Sequence, residues 1–335
     1  MARIAASIRI SLALFVALPL AAQRQDRRAP PVELKHLTFA EKEFESKALK
    51  QKVAYGIYLP KDYGAEANAK TRYPLVLWLH GMFEDHRRFH GRGGASVLDE
   101  LTGSGAIPPL AFVTVNGGRA SFYLNGKESG ANEDAIVVDL LAHLNETYRL
   151  HDDREHRAIM GVSMGGFGAL NLALRNPSKF GAVAAHSAAI FPADPENLPE
   201  RFKNLISGSA GRLRLDTLFG VPPDPELWRK NNPLHLAETL EATTLRQMRI
   251  YFDCGDKDSY GFAEPNQALH ELLKKRKIPH TFELIEGGGH GWRSGYNEGA
   301  LPESLKFVGA AFSARAGLRG ILGGDELPSG DDKGK

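Results

Sequence analysis

Five residues near the middle of the chain, Gly161-Val162-Ser163-Met164-Gly165, fit the spacing G-x-S-x-G. The pattern alone is common, and its setting makes it informative. An apolar, strand-like run over 157–162 leads into it, and a helical pattern over 164–174 follows. A strand–turn–helix at a serine lifts the hydroxyl above the edge of a sheet. It also sets the hydroxyl at a helix N-terminus, whose dipole favours developing negative charge. Glycine at 161 and 165 removes the Cβ atoms that would crowd so tight a turn. A serine hydroxyl remains a poor nucleophile until a base takes its proton, so an oriented histidine should exist elsewhere.

His290 meets that need. It sits in a glycine-rich loop, Gly287-Gly288-Gly289-His290-Gly291-Trp292, directly after a strand-like run over 280–285. His280 starts that run and should face the opposite end of the sheet, and His270 falls in a helical pattern. The carboxylate that orients His290 should come from the segment after the apolar run at 248–254. Asp253, Asp256 and Asp258 all stand there. Asp253 is still on the strand and Asp256 falls in the tight turn, so Asp258 is preferred and Asp256 held in reserve. Serine, acid and histidine then follow one another along the chain, each at the C-terminal end of a strand.

Charge that develops on a carbonyl oxygen needs two amide donors. The N–H of Met164, just after the serine, is one. The N–H of Met82, in Leu79-His80-Gly81-Met82 after the apolar run LVLWL, is the other. His80 reads as a histidine that bonds loop backbone. His86 and His90 have the i, i+4 spacing of a helical metal pair. They are separated by two arginines and no acidic residue, so a solvated face is the expectation. No phosphate-cradling glycine loop or dinucleotide fingerprint occurs, and neither cofactor nor metal is expected.

These groups need a scaffold. Strand and helix patterns alternate: strands at 53–59, 75–79, 110–115, 157–162, 182–186, 248–254 and 280–285, and helices at 133–148, 164–174, 267–275 and 303–314. That alternation predicts a mostly parallel central sheet with helices on both faces. A single domain over 23–315 is expected. The stretch 190–245, with its prolines and Trp228, breaks the rhythm and reads as an irregular, cap-like insertion. Residues 316–335 read as a flexible tail.

Lys and Arg number 42 against 40 Asp and Glu, a formal net charge of +2, so no basic field exists to gather nucleic acid. Residues 1–22 have the parts of a secretory signal peptide: Arg3 and Arg9, an apolar run from Ile10, and the small pair Ala21-Ala22. Cleavage is expected near Ala22, with export to periplasm or medium and no membrane insertion afterwards. Cys254 is the only cysteine, so no internal disulfide can form.

The sequence resembles the esterase D-like family of α/β hydrolases from about Phe44 to about Phe312. The likeness rests on YLPKDY (58–63), PLVLWLHG (74–81), RAIMGVSMGGFGALNLAL (157–174), FDCGDKDS (252–259) and EGGGHGW (286–292). In these motifs it is most similar to bacterial feruloyl and xylan-associated esterases. The resemblance implies the α/β-hydrolase fold and puts the family's triad on Ser163, Asp258 and His290. It puts the oxyanion donors on Met82 and Met164. The cysteine that marks S-formylglutathione hydrolases near the early loop is absent. The function this implies is ester hydrolysis through an acyl-enzyme, on a small-molecule or polysaccharide-linked ester of feruloyl or acetyl type. The alternatives are acyl transfer to a sugar alcohol by the same triad, or a binding protein that has kept the fold without the chemistry.

Overall fold

The computed structural model describes residues 33–126, 129–207, 215–220, 222–291 and 295–321. The expected signal peptide lies outside them, as does Trp292. Among the described residues ten strands are present: β1 Leu37–Ser46, β2 Gln51–Pro60, β3 Leu75–Leu79, β4 Ala111–Val115, β5 Asn125–Gly126, β6 Gly130–Ala131, β7 Arg157–Val162, β8 Ala182–His186, β9 Arg249–Gly255 and β10 Thr281–Ile285. Eight form one sheet in the order β1-β2-β4-β3-β7-β8-β9-β10, and β5 and β6 form a separate small hairpin. β1 and β2 pair antiparallel, as do β2 and β4, and every other ladder in the large sheet is parallel.

The apolar runs are continuous because both faces of the sheet are covered. In β3, Leu75, Leu77 and Leu79 enter one core and Val76 and Trp78 enter the other. Helices Met164–Arg175 and Ala263–Lys275 supply Phe167, Leu170, Leu269 and Leu273 to the first. Helices Gly94–Gly103 and Ala300–Ile321 supply Leu98, Leu301, Leu305 and Val308 to the second. Among the described residues no helix is long and apolar enough to cross a membrane.

Several elements differ from the sequence expectation. β1 and the helix Gly94–Gly103 were not anticipated. β1 is an edge strand, and most of its side chains are exposed or half-buried, so it lacks an apolar run. The helix expected over 133–148 is three consecutive pieces, with a wider turn over Ala135–Leu140 between Asn132–Asp134 and Leu141–Thr147. The stretch expected to be irregular, 190–245, carries short helices at Glu200–Ser207, Asp216–Phe219, Pro225–Lys230, Pro233–Thr239 and Ala242–Arg246. Their brevity hid the 3.6-residue period, but their starts are marked. Asp224 and Asn232 cap two of them with side-chain oxygens, each followed by proline at the first helical position. The last helix runs to Ile321, past the expected start of a flexible tail at 316.

Register aligns the strand ends. Leu79 stands beside Gly161, Val162 beside His186, and His186 beside Asp253. The loops that leave β3, β7, β8, β9 and β10 therefore open on one rim.

Candidate active site

Ser163 leaves β7 with φ 59° and ψ −117°, a conformation that side chains with a Cβ adopt at a cost in energy. Its backbone is held on both sides. Its N–H donates to His186 O at 2.8 Å, and its carbonyl accepts from Phe167 N (2.9 Å) and Ala189 N (3.0 Å). The turn closes only because of its glycines. A Cβ on Gly161 would lie 2.3 Å from Gly165 O, and one on Gly165 would lie 2.0 Å from Leu79 O.

His290 reaches this serine from the β10 loop. Its Nε2 is 2.8 Å from Ser163 Oγ, and its Nδ1 is 2.7 Å from Asp258 Oδ2. A carboxylate only accepts, so the Nδ1 proton faces Asp258 and Nε2 is left to accept from the serine hydroxyl. Tyr260 meets the imidazole edge-on at 4.6 Å between centroids. Gly291 N–H donates to Ser187 Oγ at 3.0 Å, which pins the loop just past the histidine.

The three acid candidates separate by what they touch. The Asp258 side chain is fully buried; Oδ1 accepts from Tyr260 N at 2.8 Å, and Oδ2 also lies 3.7 Å from Cys254 Sγ. Burial and the neighbouring Asp258 push the Cys254 thiol well above its ordinary pKa. Asp256 instead faces Lys257, 3.2 Å away, and makes no bond to His290. Asp253 is buried against His186, with Oδ2 2.6 Å from Nδ1. This second histidine–carboxylate pair, one strand position beneath the rim, was missed by sequence reasoning. Only the β8/β9 register brings the two together.

Met82 and Met164 both line the cavity at Ser163. Met164 opens its helix, so its N–H has no acceptor there, and Met82 N makes no backbone hydrogen bond among the described residues. His80 organises the loop before Met82. Its Nδ1 is 2.7 Å from Gly81 O, and its Nε2 is 3.2 Å from Gly117 N. A carbonyl must accept and an amide must donate, which fixes a neutral imidazole with its proton on Nδ1. Burial lowers the pKa of His80, consistent with that form. Glu84 braces the same loop, accepting from Gly81 N (3.1 Å), Arg88 Nε (2.8 Å) and Arg92 Nη2 (2.9 Å).

The cavity measures about 390 Å³, and Phe122, Val162, Ala189, Tyr260 and Phe262 give it an apolar wall. The segment after β8 backs that wall. Phe191 packs on Phe122, Phe262 and Trp228 with centroids 5.5–6.1 Å apart, and Trp228 Nε1–H donates to Pro192 O at 2.9 Å. Backbone strain concentrates here. Phe83, Phe122, Tyr123, Ser163 and Ser187 all have positive φ on this rim; among the described non-glycine residues, only Lys50 and Lys277 share it elsewhere.

His86 is buried rather than solvated, and His90 Nδ1 lies 3.1 Å from Tyr58 OH. His270 and His280 hydrogen-bond each other at 2.9 Å, and His280 precedes β10, at the opposite end of that strand from the His290 loop. His151, Asp153 and His156 bring ligand atoms within 4.8 Å of one another, before the start of β7 and so at the far end from Ser163. Asp153 is already engaged there as a cap, accepting from His156 N at 3.0 Å and from His156 Nδ1 at 2.7 Å.

A mostly parallel eight-stranded sheet with helices on both faces and a serine elbow after β7 is the α/β-hydrolase fold. The chain belongs to the esterase family described as "Putative esterase", whose model matches residues 46–307. It is similar to an esterase of Mycobacterium tuberculosis, 26% identical over 266 residues, covering 73% of this chain and 54% of that protein. It is also similar to an endo-1,4-beta-xylanase/feruloyl esterase of Xylanibacter ruminicola, 26% identical over 196 residues, covering 57% of this chain and 27% of that protein. The chain thus spans about half or less of the length of these relatives. Among solved structures, a ferulic acid esterase superposes with a TM-score of 0.67 at 28% identity, covering 83% of this chain and 99% of that one.

Proposed function

We propose that this chain hydrolyses carboxylic esters through an acyl-enzyme, with Ser163 as nucleophile. The observation that carries the reading is the hydrogen-bond chain from Ser163 Oγ through His290 to the buried Asp258. His290 Nε2 takes the hydroxyl proton as Ser163 Oγ attacks the carbonyl carbon. The amides of Met82 and Met164 stabilise the oxyanion. His290 then returns the proton to the departing alcohol, and water repeats the sequence to free the acid. Asp258 holds the imidazole in its tautomer and stabilises the transient imidazolium. No cofactor enters this scheme.

The apolar cavity wall and relatives named as feruloyl esterases support a substrate class. It is an ester of feruloyl or acetyl type on a carbohydrate. The signal-like segment at 1–22 supports export to meet it. Hydrolysis of p-nitrophenyl acetate and butyrate, wild type beside S163A, is the test. Turnover is expected in the wild type, with a loss of roughly 10³-fold or more in the variant. A folded S163A enzyme with near-normal turnover would remove Ser163 from the role.

A further inference from the structure

Phe83 follows the Met82 amide directly and carries two costs at once. The residue is 51% exposed, so about half of this large apolar group stays open to water. Its backbone sits at φ 62°, in the left-handed region that a residue with a Cβ adopts only under constraint. That constraint is visible: Phe83 N–H donates to Arg119 O at 2.7 Å. The Arg119 guanidinium lies 5.6 Å from the ring centroid. A half-exposed aromatic held at positive φ beside the proposed oxyanion loop points to a role beyond packing.

The surroundings say what the ring faces. Phe83 and Glu84 line the Ser163 cavity, and both also line a neighbouring open groove of about 470 Å³. The groove is completed by Asp85, Arg88, Asn116 and Arg119. Two unlike compartments therefore meet near the nucleophile. One has a largely aromatic, apolar wall beside its polar groups; the other has a single exposed aromatic ring rimmed by charged and amide groups. An ester likewise has two unlike halves. A sugar ring presents a face of C–H bonds, which stacks on an aromatic, and an edge of hydroxyls, which bond to guanidinium, carboxylate and amide groups. The apolar compartment suits the acyl group and the rimmed groove suits the alcohol.

We infer that Phe83 is the stacking platform for a saccharide ring on the alcohol side of the ester, with Arg119, Arg88, Asp85 and Asn116 as its hydrogen-bonding rim. The inference rests on the esterase reading above for its place in a reaction, but its binding half is measurable without turnover. Glu84 serves the platform as well as the oxyanion loop, because its bonds to Gly81, Arg88 and Arg92 fix the segment that holds the ring.

The experiment is titration of the full chain with a xylo-oligosaccharide bearing no ester, by calorimetry or NMR. The wild type is expected to bind. F83A should weaken binding by roughly tenfold or more, and F83W should retain it within about threefold. With a feruloylated oligosaccharide as substrate, F83A should lose more kcat/KM than it does on p-nitrophenyl acetate, chiefly through KM. No saccharide binding by the wild type, or equal binding by the wild type and F83A, overturns the platform. Phe83-dependent binding in a chain that hydrolyses no ester leaves the platform standing and removes the esterase reading. Ester turnover without saccharide binding does the reverse.

Discussion

Asp256 and Asp258 are two residues apart and chemically identical, and their surroundings decide which one matters. Asp258 is buried and bonded to His290; Asp256 is half-buried and meets the exposed Lys257. D258N presents an amide that can turn its N–H toward His290 and favour the wrong tautomer. It should lower kcat by roughly 10²–10⁴-fold with little change in KM. D256N should stay close to wild type in kcat, since Asp256 makes no bond to His290 and the change gives up only its pairing with Lys257. Steady-state kinetics on one p-nitrophenyl ester ranks the two, and the reverse order would move the acid to Asp256. Ser163 and His290 were legible in the sequence because an elbow and a glycine-rich loop leave local signatures. The candidate acid was only partly legible, since three carboxylates within six residues fit the same chain order. His186 was not legible at all. Its partner Asp253 is 67 positions away, and nothing local marks a pair made by strand register. Phe83 was equally silent, because neither exposure nor a positive φ is written in its residue type.

At the scale of elements, the loop after β3 joins the proposed oxyanion donor to a titrating group. His80 must be neutral to accept from Gly117 N, and burial holds its pKa below the ordinary histidine value. A histidine with a lowered folded-state pKa gives stability that is full above about pH 6.5 and is lost as pH falls toward the folded value. The slope approaches 1.4 kcal/mol per pH unit within that window. Urea midpoints between pH 7.5 and 5 should therefore fall less steeply in H80Q than in the wild type, even though H80Q starts less stable. Parallel slopes would place the acid sensitivity elsewhere; His86, whose pKa burial also lowers, is the next residue to vary. The buried strands and long helices around this loop were legible because a sheet covered on both faces demands unbroken apolar runs. β1 and the short helices between β8 and β9 were not. An edge strand needs no such run, and helices of four to eight residues complete too few turns to show a period.

For the whole molecule, one sheet separates two cores and gathers every proposed catalytic group on a single rim. Opening β9 would unmake the rim, since this strand carries Asp253 and leads to Asp258. Cys254 lies between them, fully buried, and it is the chain's sole thiol. It therefore works as a clock. A thiol reagent can reach it only when the strand is released, and the thiol then regains the reactivity of an ordinary cysteine. Under excess reagent, labelling and loss of esterase activity should follow one exponential with one rate constant. Labelling that outruns inactivation would mean the strand breathes while the rim stays assembled. Because the sequence holds no second sulfhydryl, each molecule would record its own first opening, once and irreversibly.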